Sequence, residues 1–232
     1  MARSARRELP DGFAHVTCRT VRRFPLFKTA RDAVALLDLL DHVTRDVVEW
    51  SVLAYCLMPN HLHLVVDARV AELSLAMHRV NGLYAQRFNR VHGYRGHLFQ
   101  GRFHTRPIRD DAHLPGSIRY VLRNPVRAGL CAQPCNWRWS SYRACAALEP
   151  ARPFLALERA LSFFGPDPVA ARAAFCRFVD DDDACSRVGT VPGTVPGPSV
   201  APTQTGSAST RMPSRHARRT IEAHPLGGHH DC

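Results

Sequence analysis

The spacing of apolar residues divides the first part of the chain into strands and helices. Residues 11–21 (DGFAHVTCRTV) alternate apolar and polar positions, which predicts a half-buried strand. Residues 30–46 carry apolar residues at helical spacing, which predicts an amphipathic helix. Residues 47–58 and 61–67 then predict two strands, because both are apolar runs and the turn signal Pro59–Asn60 separates them.

The pattern of apolar residues continues through a second helix, a fourth strand and a third helix. Residues 70–91 predict a second amphipathic helix, residues 97–108 a fourth strand and residues 110–123 a third helix. That helix should end near Asn124, because Pro125 disfavours helical geometry in the residue before it. The order β-α-β-β-α-β-α is that of a split βαβ, ferredoxin-like sandwich. The predicted fold class is therefore α+β, with an antiparallel sheet and helices on one face.

Beyond residue 145 the pattern changes. Residues 154–165 and 168–183 predict two short helices. Residues 188–232 are rich in Pro, Gly, Ser and Thr, which predicts a disordered tail. The predicted organisation has three parts: a main domain at 1–145, a short helical extension at 146–187 and a disordered tail at 188–232.

Cysteine usage and hydropathy bear on the cellular compartment. No apolar run approaches the roughly 20 residues that a membrane-spanning helix needs, and the first residues lack the apolar segment of a secretory signal. The eight cysteines contain no pair of C-x-x-C units, which favours reduced thiols over a disulfide framework or a structural zinc site. We expect a cytoplasmic protein without membrane contact.

Charge is distributed unevenly along the chain. The net charge is +11, and the segment from residue 73 to 109, here called the basic segment, contains no Asp or Glu. Coding bias toward arginine is one explanation, since Lys28 is the only lysine, but bias would not remove carboxylates. A basic segment with interleaved rings predicts a surface that binds phosphates and stacks on bases. The arginines are Arg79, Arg87, Arg90, Arg95, Arg102, Arg106 and Arg109, and the rings are Tyr84, Phe88, Tyr94, Phe99 and Phe103.

Two histidines one residue apart, His61 and His63, begin an otherwise apolar strand. Alternate residues of a strand share a face, so both imidazoles should point to one side while Leu62 and Leu64 enter the core. This spacing suits chelation of one divalent cation. So short a motif is also compatible with a pair of surface histidines at a sheet edge.

Four sequence blocks, in order, resemble the REP-associated tyrosine transposases. These proteins are relatives of the insertion-sequence-200-like, single-tyrosine transposases, which carry a His-hydrophobic-His (HUH) motif. The resemblance covers residues 9 to 145 and extends more loosely to residue 183. The blocks are LMPNHLHLVV (57–66), NGLYAQRFNRVHGYRGHLFQGRF (81–103), RYVLRNPVRAGL (119–130) and WRWSSYRA (137–144).

The resemblance implies a ferredoxin-like nuclease and strand transferase that cuts single-stranded DNA beside a hairpin, using a tyrosine nucleophile and Mg²⁺ or Mn²⁺. Carried onto this chain, the metal-binding histidines are His61 and His63, the nucleophile is Tyr120, and the third metal ligand is Asn124. Residues four apart share a helix face, so Tyr120 and Asn124 should project together. Pro115 departs from the family pattern, because it requires the helix to begin close to it.

Two other functions stay open at this point. One is a domesticated DNA-binding protein that recognises palindromic repeats without cleaving them. The other is an unrelated small metalloenzyme whose histidines hold a hydrolytic metal. Binding and cutting of a hairpin oligonucleotide would separate the three. The sequence does not give the DNA target or decide between a monomer and a homodimer.

Overall fold

Four strands form one open, antiparallel sheet in the order β2-β3-β1-β4. The fold comes from a computed structural model, which describes residues 11–47 and 50–181. This strand order is that of the ferredoxin-like split βαβ unit, so the predicted fold class is confirmed. The strands are β1 (Gly12–Arg19), β2 (Trp50–Met58), β3 (His61–Ala68) and β4 (His104–Pro107).

Two long helices cover the apolar face of the sheet. They are α1 (Ala30–Asp46), between β1 and β2, and α2 (Val70–His92), between β3 and β4. A capping box at Thr29 and Asp32 starts α1, and Gly93 in the left-handed conformation ends α2. The α2 amide of Asn81 donates to Cys18 Sγ at 3.4 Å, which places α2 over the side of the sheet that buries Cys18.

A shorter helix, α3 (Leu114–Leu122), lies on the opposite face of the sheet. Pro115 stands in its first turn, so the helix begins where the proline requires it to. It ends two residues before the predicted end, and Asn124 opens a separate turn, α4 (Asn124–Arg127). The helices were expected on one face of the sheet. This holds for α1 and α2, whereas α3 lies on the other face, which carries the polar side chains of β1 and β3.

The residues that follow α4 pack onto the outer edge of β2. They form α5 (Tyr142–Cys145) and, within the helical extension, α6 (Leu157–Ser162) and α7 (Pro168–Asp180), which confirm the two helices predicted there. Backbone hydrogen bonds join Leu57 to Trp139 and Ala156 to Val52, which covers an otherwise open sheet edge. Within the described residues, no helix is both long and apolar enough to cross a membrane. The predicted tail at 188–232 lies outside those residues.

Two arginines at the end of α3 cap the end of α7. Arg119, which is 8% exposed, donates from Nε to the Phe178 carbonyl at 2.9 Å and from a second nitrogen to the Asp181 carbonyl. Arg123 donates to two carbonyls of the same turn at 2.9 and 3.0 Å. The last carbonyls of a helix lack intrahelical partners and carry partial negative charge. The arginines therefore tie the extension to α3.

Replacing Arg119 with methionine should lower the free energy of unfolding by about 2 to 4 kcal/mol, because the carbonyls at the end of α7 would lose a largely buried, charged donor. Urea denaturation measures this change. Arg31→Met, at an exposed position in the first turn of α1, is the matched control and should stay within about 0.5 kcal/mol of wild type. An Arg119→Met protein as stable as wild type would show that the extension is not anchored through α3.

Candidate active site

His61 and His63 lie side by side on β3, with ring centroids 4.6 Å apart. His63 is 4% exposed, and His61 is half-buried. Burial, helped at His61 by the nearby Arg19, lowers the pKa of His61 to about 4 and that of His63 well below its usual value. Both imidazoles are therefore uncharged at neutral pH, the state in which imidazole binds metals.

The neighbouring strand β1 adds three polar side chains to the histidine pair. In the β1–β3 register Thr17 lies opposite His63 and Arg19 opposite His61, so their side chains share one face. His15, one pair further along, stacks on His63 with ring centroids 5.0 Å apart. His15 Nε2 is 2.9 Å from His63 Nδ1, and Thr17 Oγ1 is 3.2 Å from the same nitrogen. Sequence reasoning did not assign His15 or Thr17 to the site.

Tyr120 is the tyrosine that meets these histidines. Its ring centroid lies 5.7 Å from that of His15 and 6.3 Å from that of His63, both edge-on. The side chain is half-buried in the last turn of α3. The guanidinium of Arg127, from α4, lies 5.1 Å from the centroid of the Tyr120 ring. The phenol of Tyr120 and the guanidinium of Arg127 thus lie together beside the histidine pair.

The other four tyrosines of the chain are engaged elsewhere. Tyr55, Tyr84 and Tyr142 are buried, and burial raises the pKa of their phenols, so these hydroxyls keep their protons and lie out of reach of DNA. The Tyr94 hydroxyl accepts a hydrogen bond from the single lysine at 2.6 Å. Among the five, the geometry favours Tyr120 as the residue that could act with His61 and His63.

Asn124 bridges the break between α3 and α4. Its Nδ2 donates to the Tyr120 carbonyl at 2.8 Å and lies 3.4 Å from the Val121 carbonyl. Pro125 has no N–H to donate to the Val121 carbonyl four residues before it, and the Asn124 side chain lies at this break and donates to the end of α3. With Nδ2 directed at the backbone, Oδ1 is the atom left to bind a cation. Metal ligation by Asn124 stays a prediction.

His63 Nε2 is the atom that fits a metal ion. It is buried and has no hydrogen-bond partner, which is costly for a polar atom unless a further group completes it. Nitrogen lone pairs of neutral imidazoles are common ligands of divalent metals. Across residues 11–47 and 50–181, no group of three or more His, Cys, Asp or Glu side chains is arranged to hold a metal. A site here would therefore need an amide or water oxygen besides the two imidazoles.

The match to a family model covers this arrangement from end to end. Residues 11–124, from the start of β1 to Asn124, match the family described as Transposase IS200 like. Just under half of the chain is thus similar to the IS200-like transposases. The matched residues contain the histidine pair, Tyr120 and the α3–α4 break, and the resemblance to REP-associated tyrosine transposases found in the sequence blocks is confirmed.

Two known proteins show how far the likeness extends. A curated protein of Haemophilus influenzae, named a REP-associated tyrosine transposase, is 29% identical over 104 residues, which is 40% of this chain and 59% of that protein. The chain therefore spans about three fifths of that relative. A solved REP-associated tyrosine transposase bound to a REP hairpin aligns with a TM-score of 0.54 and 21% identity, over 67% of this chain and 92% of that one. At this identity, the structural likeness is one of fold.

The seven arginines predicted to bind DNA do not share one surface of the fold. Arg106 lies opposite His15 in the β1–β4 register, on the histidine side of the sheet. Arg79 lies on α2, on the other side, and its guanidinium is 3.4 Å from the carboxylate of Asp46. DNA contact by the seven stays a prediction, with Arg106 the best placed beside the histidines. Arg87 and Arg90 lie on α2, and Arg95, Arg102 and Arg109 lie in the segments flanking β4.

The predicted stacking of bases on the rings of the basic segment is wrong for three of the five rings. Tyr84 and Phe88 are each 1% exposed, and Phe103 is 7% exposed. Tyr84 and Phe88 lie one turn apart on the buried face of α2, and the Tyr84 hydroxyl donates to a backbone carbonyl. Tyr94 and Phe99 are partly buried and pack against the same core. These rings stabilise the hydrophobic core.

Proposed function

We propose that this chain is a metal-dependent, single-tyrosine transposase that binds hairpin-forming single-stranded DNA, cuts it and rejoins strands. The observation that carries the proposal is the meeting of Tyr120 with His61 and His63, where a buried imidazole nitrogen has no partner. The family match and the hairpin-bound relative support DNA transposition as the purpose of this geometry.

The covalent step belongs to Tyr120. A phenol is mostly protonated at neutral pH, so its oxygen loses the proton as it attacks the phosphorus of the scissile phosphodiester. The bond from phosphorus to the 3′ oxygen breaks, and that oxygen leaves as a 3′ hydroxyl. The product is a phosphotyrosine at the 5′ end of the cut strand. A 3′ hydroxyl can then attack the phosphotyrosine and release Tyr120, so one site both cuts and joins.

His61, His63 and the Oδ1 atom of Asn124 would hold the divalent cation, Mg²⁺ or Mn²⁺. When bound, such a cation supplies charge neutralisation at the scissile phosphate and orients it. Imidazoles are softer ligands than Mg²⁺ prefers, so Mn²⁺ should support the reaction better in vitro. The protein's own contribution is a rigid strand that fixes both rings and excludes water from one of them.

Arginines from three elements surround the proposed site and would bind DNA phosphates. Arg19 ends β1, Arg106 lies on β4 and Arg127 lies on α4. If about four phosphates are neutralised, the logarithm of affinity should fall against the logarithm of salt concentration with a slope of roughly −3.

Arg106→Ala should weaken binding of a hairpin oligonucleotide and reduce the steepness of that salt slope by roughly 0.7 to 0.9, because one phosphate contact is lost. Fluorescence anisotropy at several salt concentrations measures both quantities. Arg79→Ala is the matched control, since its guanidinium is paired with Asp46 on the other side of the sheet. If Arg79→Ala lost more affinity than Arg106→Ala, the DNA would lie along α2 instead.

A labelled hairpin with a single-stranded flank tests the proposed function as a whole. The proposed transposase binds it, cuts it in the presence of Mn²⁺ and becomes covalently attached. A domesticated repeat-binding protein would bind it without cutting, and an unrelated metalloenzyme would do neither. Either of the last two outcomes would overturn the proposal.

A further inference from the structure

The two ring nitrogens of His63 have contrasting surroundings. Nδ1 has two neighbours from β1, His15 Nε2 at 2.9 Å and Thr17 Oγ1 at 3.2 Å. Nε2, on the other side of the ring, is buried and has no hydrogen-bond partner. A neutral imidazole carries one proton, so the side that holds it determines which nitrogen can bind a metal.

Only one proton can lie between His15 Nε2 and His63 Nδ1 when both rings are neutral. If His15 donated that proton, His63 would carry its own proton on Nε2, and a buried N–H would have no acceptor. A buried N–H without an acceptor is costly, and such groups are rarer in proteins than unpaired acceptors. If His63 donates instead, its Nδ1–H is satisfied by His15, with Thr17 as a second acceptor, and the Nε2 lone pair stays free.

We propose that His15, assisted by Thr17, is a positioning residue that holds His63 in the Nδ1–H tautomer and aims its Nε2 lone pair at the metal. Metal-binding histidines commonly donate their second N–H to a carboxylate or a carbonyl, which fixes the ring and its tautomer. Here a neighbouring imidazole takes that place. The role rests on the proposed metal-dependent function, but the tautomer itself is a property of the metal-free protein.

The position of His15 suits this role for a second reason. Its ring stacks on His63 at an interplanar angle of 23° and meets Tyr120 edge-on. It therefore fills the space between the histidine strand and α3. The His63 ring is held both by a hydrogen bond and by packing, which leaves one orientation for Nε2.

Nitrogen-15 NMR of histidine-labelled, chelator-treated protein tests the tautomer directly. Long-range proton–nitrogen correlations distinguish Nδ1–H from Nε2–H imidazoles. We expect His63 to be Nδ1–H in the wild type. A wild-type His63 in the Nε2–H form would overturn the proposal, whether or not the protein cuts DNA.

Calorimetric titration with Mn²⁺ alone tests the consequence for metal binding. His15→Leu, which has no acceptor, should bind Mn²⁺ about 10- to 100-fold more weakly than wild type, whereas His15→Gln, whose amide oxygen can accept from Nδ1–H, should restore most of the affinity. His78→Leu, exposed on α2, is the control and should bind as wild type does. Wild-type affinity in a folded His15→Leu protein would overturn the proposal. A wild type that binds no Mn²⁺ would instead contradict the proposed function, and the NMR result would still decide the tautomer.

Discussion

Tyr120→Phe should bind the hairpin oligonucleotide as tightly as wild type and form no covalent adduct. The change removes one oxygen and leaves the ring to pack against His15 and His63. Since the phosphotyrosine bond needs that oxygen, the adduct should fall to background, and the protein–DNA band that survives boiling in detergent should be absent. Denaturing gel electrophoresis with labelled DNA and Mn²⁺ measures the adduct.

Tyr94→Phe is the matched control for this experiment. It also removes a phenol oxygen from a partly buried ring, but Tyr94 packs against Phe24 rather than against the histidine pair. We expect it to form the adduct at the wild-type level. If Tyr120→Phe still formed the adduct, or if Tyr94→Phe lost it, the assignment of Tyr120 as the nucleophile would be wrong.

His63→Ala should lower adduct formation by about 100-fold or more, and the loss should match the effect of a chelator on the wild type. The physical reason is loss of the buried nitrogen that has no other partner. His61→Ala should behave alike. Initial rates of adduct formation across a Mn²⁺ series measure the effect, and His78→Ala is the control on α2.

Asn124→Ala should differ from the histidine variants. It removes one proposed ligand, which water can replace, so the Mn²⁺ requirement should rise only modestly. It also removes the donor to the Tyr120 carbonyl, so the protein should be less stable. Full activity of His63→Ala, or a wild type indifferent to chelator, would contradict a metal site on the histidine strand.

Much of the fold could be predicted because its signals are local. Alternation in β1, the helical spacing in α1 and the turn at Pro59–Asn60 each act over a few residues, and the structure has each element close to where it was expected. The predicted start of α3 at residue 110 was wrong, because the helix begins at Leu114, directly before Pro115, where proline is accepted in the first turn. Element order then selected the ferredoxin-like sheet.

The β1 half of the site could have been inferred but was not. In the predicted topology β1 lies beside β3, and the polar positions of β1 are His15, Thr17 and Arg19. What the sequence does not give is the register, which places Thr17 rather than another residue opposite His63. Register depends on packing of both strands at once, so it is a property of the sheet and not of either segment.

In the basic segment, the neighbours of each side chain likewise depend on the fold, and whether its seven arginines contact DNA stays a prediction. The segment contains no carboxylate, but in the fold Arg79 lies beside the carboxylate of Asp46, which belongs to α1. Val80, Tyr84 and Phe88 recur every four residues, a spacing that indicates the buried face of a helix. The rings of Tyr84 and Phe88 are therefore not available to DNA. Helical periodicity was the stronger signal, and it predicted the core.

Peptide mapping of the covalent adduct shows most directly whether Tyr120 is the nucleophile. Trypsin cleaves after Arg119 and Arg123, so Tyr120 should lie in the four-residue peptide YVLR. After nuclease digestion of the wild-type adduct, mass spectrometry should find the residual nucleotide on this peptide, attached to Tyr120. A nucleotide on a peptide that contains any other tyrosine, or no covalently modified peptide at all, would contradict the account.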